Sequence, residues 1–149
     1  MTISFKDRDD FKPDYTPEQM FKKGMMGGWY FRDIYSSVIK KDIKDAWKEF
    51  DFLKNIPKKN YCLDKYDTDI NVYKIKCGTS LEYWESKGWI HAEDPYGWIQ
   101  WYCRFYAGRR IPDDDRQIKR FNGIKSRFGK REPKGPRMKQ TLLHWAIKS

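Results

Sequence analysis

Eleven basic residues crowd the last third of this chain: Arg109, Arg110, Arg116, Lys119, Arg120, Arg127, Lys130, Arg131, Lys134, Arg137 and Lys139. Guanidinium groups fork onto phosphate oxygens, and each neutralised phosphate releases counterions, so such a cluster gives affinity with little sequence preference. Residues 104–149 hold 14 Lys and Arg against 4 Asp and Glu, which accounts for the whole net charge of +10 and leaves the first 103 residues neutral. A one-sided basic field of this kind points to a polyanionic partner, nucleic acid before an anionic membrane. The competing reading is that these charges solvate helix faces, with Arg109 or Arg116 paired to the acids Asp113 to Asp115. No zinc finger, basic zipper or RNA-recognition motif is present, so the expected contact is with the backbone of duplex DNA, with RNA as a possible partner.

Two acidic groups offer other chemistry. His91, Glu93 and Asp94 lie close together, and Asp113, Asp114 and Asp115 form a run beside arginines; either could hold magnesium in an enzyme acting on nucleic acid. The simpler explanation places both at helix starts, where carboxylates accept orphan backbone donors. A zinc site from His91, His144 and Cys103 needs a fold that unites them. Cys62, Cys77 and Cys103 lack CxxC spacing and are expected as reduced thiols. No P-loop, GxGxxG or GxSxG occurs. The expectation is a binding protein rather than an enzyme, with no catalytic residue, metal or cofactor assigned.

These groups need a scaffold, and the aromatic content of 17% with seven Trp argues for a packed one. Asp94-Pro95 reads as an N-cap and first helical residue. From Tyr96 to Tyr106 there is almost no polar face, so this is the expected central core helix, closed by Gly108. Pro112 with its three aspartates opens the next helix, with Ile118, Phe121, Ile124 and Phe128 inward and Arg116, Lys119, Arg120 and Arg127 mostly outward. Gly129 to Gly135 is a basic linker, and Pro136 opens a last helix with Met138, Leu142 and Trp145 buried. Upstream, Thr16-Pro17-Glu18-Gln19 is a capping box, and Thr79 to Glu82 is another, with Leu81 and Trp84 inward and Gly88 as the stop. The stripe from Ile34 to Leu53 predicts helix, broken near Lys40 and Lys41. Ile70, Val72 and Ile75 suggest a short extended piece. Residues 1–15 read as an irregular arm outside the core, and 16–149 as a single helical domain. The fold class is mainly α: a compact bundle of about five or six helices around a Trp-rich central helix. No apolar run reaches the length of a membrane helix, and the N-terminus has no signal-peptide core.

Three blocks, TPEQMFKKGMMGGWY, SLEYWESKGWIHAEDPYGWIQWYCRFYAGRRIPDDDRQIKR and PRMKQTLLHWA, resemble a family of small proteins of giant DNA viruses, including the marseillevirus group, with fungal and plant relatives. They cover about half of the chain. The resemblance implies a viral origin and a preserved scaffold, not a reaction. It places Gly97, Trp98, Gln100, Trp101, Arg104, Arg109, Arg110, Asp115, Arg116, Gln117, Arg120 and Arg137 in the family pattern. The resulting expectation is a non-sequence-specific DNA-binding protein that coats, compacts or accompanies a viral genome, in the virion or the infected cell and not secreted. An assembly module dimerising through exposed aromatics is the remaining alternative.

Overall fold

The computed structural model describes residues 3–76, 80–129 and 134–148. Among them lie five α-helices, α1 Pro17–Lys22, α2 Leu81–Ser86, α3 Trp98–Tyr106, α4 Asp114–Phe128 and α5 Pro136–His144. The only sheet among these residues is a hairpin of β1 Ile34–Ser36 and β2 Lys41–Ile43. The fold is mainly helical, with this small sheet in addition.

α3 is the central helix. Trp98, Ile99, Gln100, Trp101, Tyr102, Cys103 and Phe105 are all buried, and only Arg104 and Tyr106 reach outward. Gly108, at φ +114, lets the chain turn back at its end: the amides of Gly108 and Arg109 bond the carbonyls of Phe105 and Arg104. That double bond satisfies two orphan carbonyls and fixes the direction in which the arginine doublet leaves. At the other end of the chain order, the capping box forms as expected. Thr16 Oγ1 accepts from the Gln19 amide at 3.1 Å, and Gln19 Oε1 accepts from the Thr16 amide at 2.8 Å.

Three expectations are overturned. The stripe from Ile34 to Leu53 is not a helix: Ile34 pairs with Ile43 and Ser36 with Lys41 across the hairpin, and short 3-10 turns follow at Ala46–Glu49, Asp51–Asn55 and Lys58–Asn60. Lys40 and Asp45 both take left-handed backbone at φ 56, which ends helical propagation, and the β-branched Ile34 and Ile43 suit the paired strands. Ile70 to Ile75 is not extended either. Asn71, 1% exposed, holds it as a turn by donating to the Ile75 carbonyl and accepting from the Ile75 amide. Finally, the N-terminal arm is irregular in backbone but central in packing. Phe11 is fully buried and meets Trp98, Trp101, Tyr102, Phe105 and Phe121 with ring centroids 4.9–6.2 Å apart. The arm is then zipped onto α4 by Arg8 to Asp115, Asn122 to the Asp10 carbonyl and Lys125 to the Lys12 carbonyl.

α2 begins with Ser80 accepting from the Tyr83 amide, while Thr79 lies outside the described residues. Leu81 and Trp84 are half-buried along a cavity rather than in the core. α5 starts at Pro136 as expected and is tied inward by Gln140, which donates to the Met25 carbonyl at 2.7 Å. His144 sits beside Tyr66, whose hydroxyl is 3.3 Å from Nε2 and accepts from Asn71 Nδ2. Burial lowers the His144 pKa from 6.5 to about 4, with a bond to the Met25 backbone pulling the other way.

Replacing Phe11 with Ala should therefore cost about 3–5 kcal/mol of unfolding free energy in urea, as for a central aromatic; a loss near zero would return the arm to the periphery. For His144, the unfolded chain takes up the proton first. Its contribution is fully present above pH 6.5 and is lost as the pH falls towards 4. Wild type should lose roughly 3 kcal/mol more than His144→Gln between pH 7 and pH 4; parallel stability profiles would contradict this.

Candidate nucleic-acid interface

Nine of the eleven predicted cations lie among the described residues, and the fold divides them. Arg109 leaves α3 and donates to Asp94 Oδ2 at 2.6 Å. Arg110 grips Asp7 through Nε and Nη2, at 2.6 and 3.2 Å, donates to two backbone carbonyls and lies 3.6 Å over the Phe105 ring. In return the Arg110 guanidinium holds the Asp7 carboxyl below the usual carboxylate range. Arg116 forks onto Asp113 at 2.6 and 3.0 Å and reaches the Trp89 carbonyl. These three are occupied by the fold, as the competing reading expected for Arg116; Arg109 takes Asp94 instead of the aspartate run.

Asp94 was expected as a helix cap. α3 instead starts three residues later, after Gly97 at φ +103, and it is the Tyr30 hydroxyl from outside the helix that accepts from its Gln100 amide at 3.1 Å. The Asp94 side chain is fully buried and accepts from Arg104 Nη1 at 3.0 Å and Arg109 Nη2 at 2.6 Å. Arg104 also forks onto Glu49 at 2.7 and 2.8 Å and donates to the Glu93 carbonyl. One buried anion is thus shared by two cations, which is the condition under which a buried charge is tolerated.

The aspartate run divides its work. Asp113 binds Arg116, and Asp115 binds Arg8. Asp114, 4% exposed, accepts from the Trp101 indole at 2.7 Å and the Ile111 amide at 3.0 Å. Of the carboxylates offered for magnesium, Asp94, Asp113 and Asp115 are therefore neutralised by arginines and Asp114 is bonded to the core, while Glu93 is exposed. No group of three His, Cys, Asp or Glu able to hold a metal comes together among the described residues. Burial pushes both the Cys62 and Cys103 thiols up, so neither is a ready thiolate; Cys77 lies outside the described residues.

What remains basic lies on α4 and α5. At 100° per residue, Arg116, Arg120 and Arg127 fall within about 40° of one another, with Lys119 roughly 60° aside, opposite the buried Ile118 and Phe121. Lys119, Arg127 and Arg137 are exposed and have no carboxylate partner among the described residues. Lys139 lies over the Tyr73 ring, on another side of α5 from Arg137. Lys134 is half-buried, and Lys130 and Arg131 lie outside the described residues. Arg120 is different: it is half-buried, donates to Gln117 Oε1 at 2.9 Å and faces the Trp145 and Trp84 rings at 5.2 and 5.9 Å. Burial, and then Arg116 nearby, lower its pKa to about 10.

Arg32 was not singled out in the sequence. It is half-buried, lies 4.1 Å over the Trp29 ring and likewise has no carboxylate partner among the described residues; its pKa is lowered by burial. Only its place beside WYF could have marked it. Searches against protein-family models, curated proteins and solved structures find no match to the chain.

Replacing Asp94 with Asn keeps the shape and removes the shared anion. The expected cost is about 3–5 kcal/mol in urea unfolding, the range for breaking a buried pair on one side; a loss below ~0.5 kcal/mol would show that solvent already screens it.

Proposed function

We propose that the protein binds nucleic acid without sequence preference, gripping the duplex backbone through the outer faces of α4 and α5. The observation that carries this reading is the contrast among the cations. Arg104, Arg109, Arg110 and Arg116 meet carboxylates, whereas Lys119, Arg127 and Arg137 are exposed without any among the described residues. Cations that the fold does not consume are the ones available to phosphate oxygens. Gly123 supports the same face: it sits on the solvent side of α4 with nothing within 4 Å of where a Cβ would stand. A mid-helix glycine costs stability without a packing reason, and it leaves the backbone open to close approach.

The resemblance of the three blocks to proteins of giant DNA viruses supports a task beside a viral genome, coating or compacting it in the virion or the infected cell. An enzymatic reading has less support, since arginines meet Asp94, Asp113 and Asp115 and the Trp101 indole meets Asp114. A dimer has less support as well: among the described residues the exposed large apolar side chains are Tyr35, Val72, Tyr83, Trp89 and Tyr106, of which Tyr83 and Trp89, at α2 and its exit, are the pair in mutual ring contact.

Anisotropy on two unrelated duplexes across salt tests the proposal. Log affinity should fall with log salt at about 0.9 per phosphate contacted, equally for both sequences. The combined Lys119→Glu, Arg127→Glu, Arg137→Glu variant should weaken both together and flatten the slope. Salt-independent binding, or an unchanged slope in the variant, would sink it.

A further inference from the structure

Between α2, α3, α5 and the segment following α1 lies a cavity of about 150 Å³. Its walls are aromatic: Trp29, Tyr66, Trp84, Trp98 and Trp145 contribute faces or edges. A cavity of that size takes one benzene-like ring and not a fused pair. Most of its polar lining is already satisfied. The Tyr30 hydroxyl donates to the Tyr96 carbonyl and accepts from the Gln100 amide, and His144 is bonded to Tyr66. Trp98 is the exception: it is 3% exposed, and its indole Nε1–H is buried without a partner among the described residues.

Charge decides which ring. No Asp or Glu lines the cavity, whereas Arg32 and Lys76 do, stacked against Trp29 at 4.1 and 5.2 Å. Arg120 stands behind Trp145 and Trp84. Among the described residues six arginines are half-buried: Arg8, Arg104, Arg109 and Arg116 bind carboxylates, whereas Arg32, which lines the cavity, and Arg120, behind its tryptophan wall, do not. An aromatic cage for a cationic ligand needs the opposite arrangement.

We infer that this cavity is a binding site for a single pyrimidine ring carrying phosphate, either as a free nucleotide or as one unpaired residue of a strand. The ring stacks among the tryptophans, and the phosphate meets Arg32 and Lys76, the two cations that line the cavity. A phosphate monoester carries nearly two negative charges, which suits several unpaired cations better than one carboxylate does. The inference stands apart from the duplex grip on the outer faces of α4 and α5, and the two can fail separately.

Quenching of tryptophan fluorescence in the full chain tests it, with uridine monophosphate, uridine, and a short oligothymidylate with or without one abasic position. Saturable quenching by uridine monophosphate, with uridine at least about tenfold weaker, is expected if the free nucleotide is the ligand. Quenching by the oligonucleotide alone, reduced by the abasic position, assigns the ring to a strand. In either case Thr141→Trp, which fills the cavity, should abolish the signal while the circular dichroism and the duplex affinity stay as in wild type. Arg32→Gln should weaken the phosphorylated ligand about tenfold and leave uridine unchanged. Equal affinity for uridine and its monophosphate, absence of quenching by every probe, or quenching unaffected by both variants would overturn the inference. Duplex binding that survives such a result would leave the proposed function standing.

Discussion

The buried carboxylate of Asp94 is the constraint around which the charged half of the molecule is arranged. It is fully enclosed, and its oxygens are taken by Arg104 from within α3 and Arg109 from just beyond it. Those two cations bracket the turn at Gly108, so the loop before α3, the helix itself and its exit are held by one anion. Arg104 extends the connection to Glu49 and so to the 3-10 region. Once the exit is fixed, Arg110 falls onto Asp7 and Phe105, and Asp114 reaches back to Trp101. Solvating these charges separately would be easier than burying them, and the arrangement survives because each guanidinium arrives with geometry that suits its partner.

The same pairing sorts the basic residues. Charge counting sees a single excess in the last third of the chain, yet much of the arginine in it is consumed internally by acids from the neutral part. The cations left over are of two kinds: solvated ones on α4 and α5, and desolvated ones against tryptophan, Arg32 and Arg120. Each kind suits phosphate for a different reason, the first by counterion release and the second because a guanidinium held in low dielectric gains more from an anion than one in water.

Local signals in the sequence were reliable where the physics is local. The capping box at Thr16, the apolar run of α3, the stop at Gly108 and the proline opening α5 involve partners within a turn or so. Long-range pairing was not legible. Asp94 before Pro95 has the composition of a cap, and nothing within its neighbourhood reveals that two arginines will claim it. Arg104 finds Glu49 across 55 residues, Arg110 finds Asp7 across 103 and Arg8 finds Asp115 across 107. Phe11 was misplaced because a lone aromatic in a charged arm carries no periodicity, although the finished core closes around it. The stripe from Ile34 to Leu53 matched helical spacing by the coincidence of a hairpin followed by 3-10 turns, and the left-handed residues Lys40 and Asp45 are not types that announce themselves. The aromatic cavity was invisible for a further reason: its walls come from five separate stretches of chain, so no spacing marks it.

The division of arginines into consumed and available classes is open to direct observation through their side-chain Nε–Hε signals in a nitrogen-15 NMR spectrum, followed while a short duplex and then uridine monophosphate are added. Signals of Arg104, Arg109, Arg110 and Arg116 should hold their positions in both titrations. Those of Arg127 and Arg137 should move with the duplex, and that of Arg32 with the nucleotide. Shifts led by Arg109, Arg110 and Arg116, with Arg127 and Arg137 unmoved, would contradict the account, because the acids would then have failed to claim their partners.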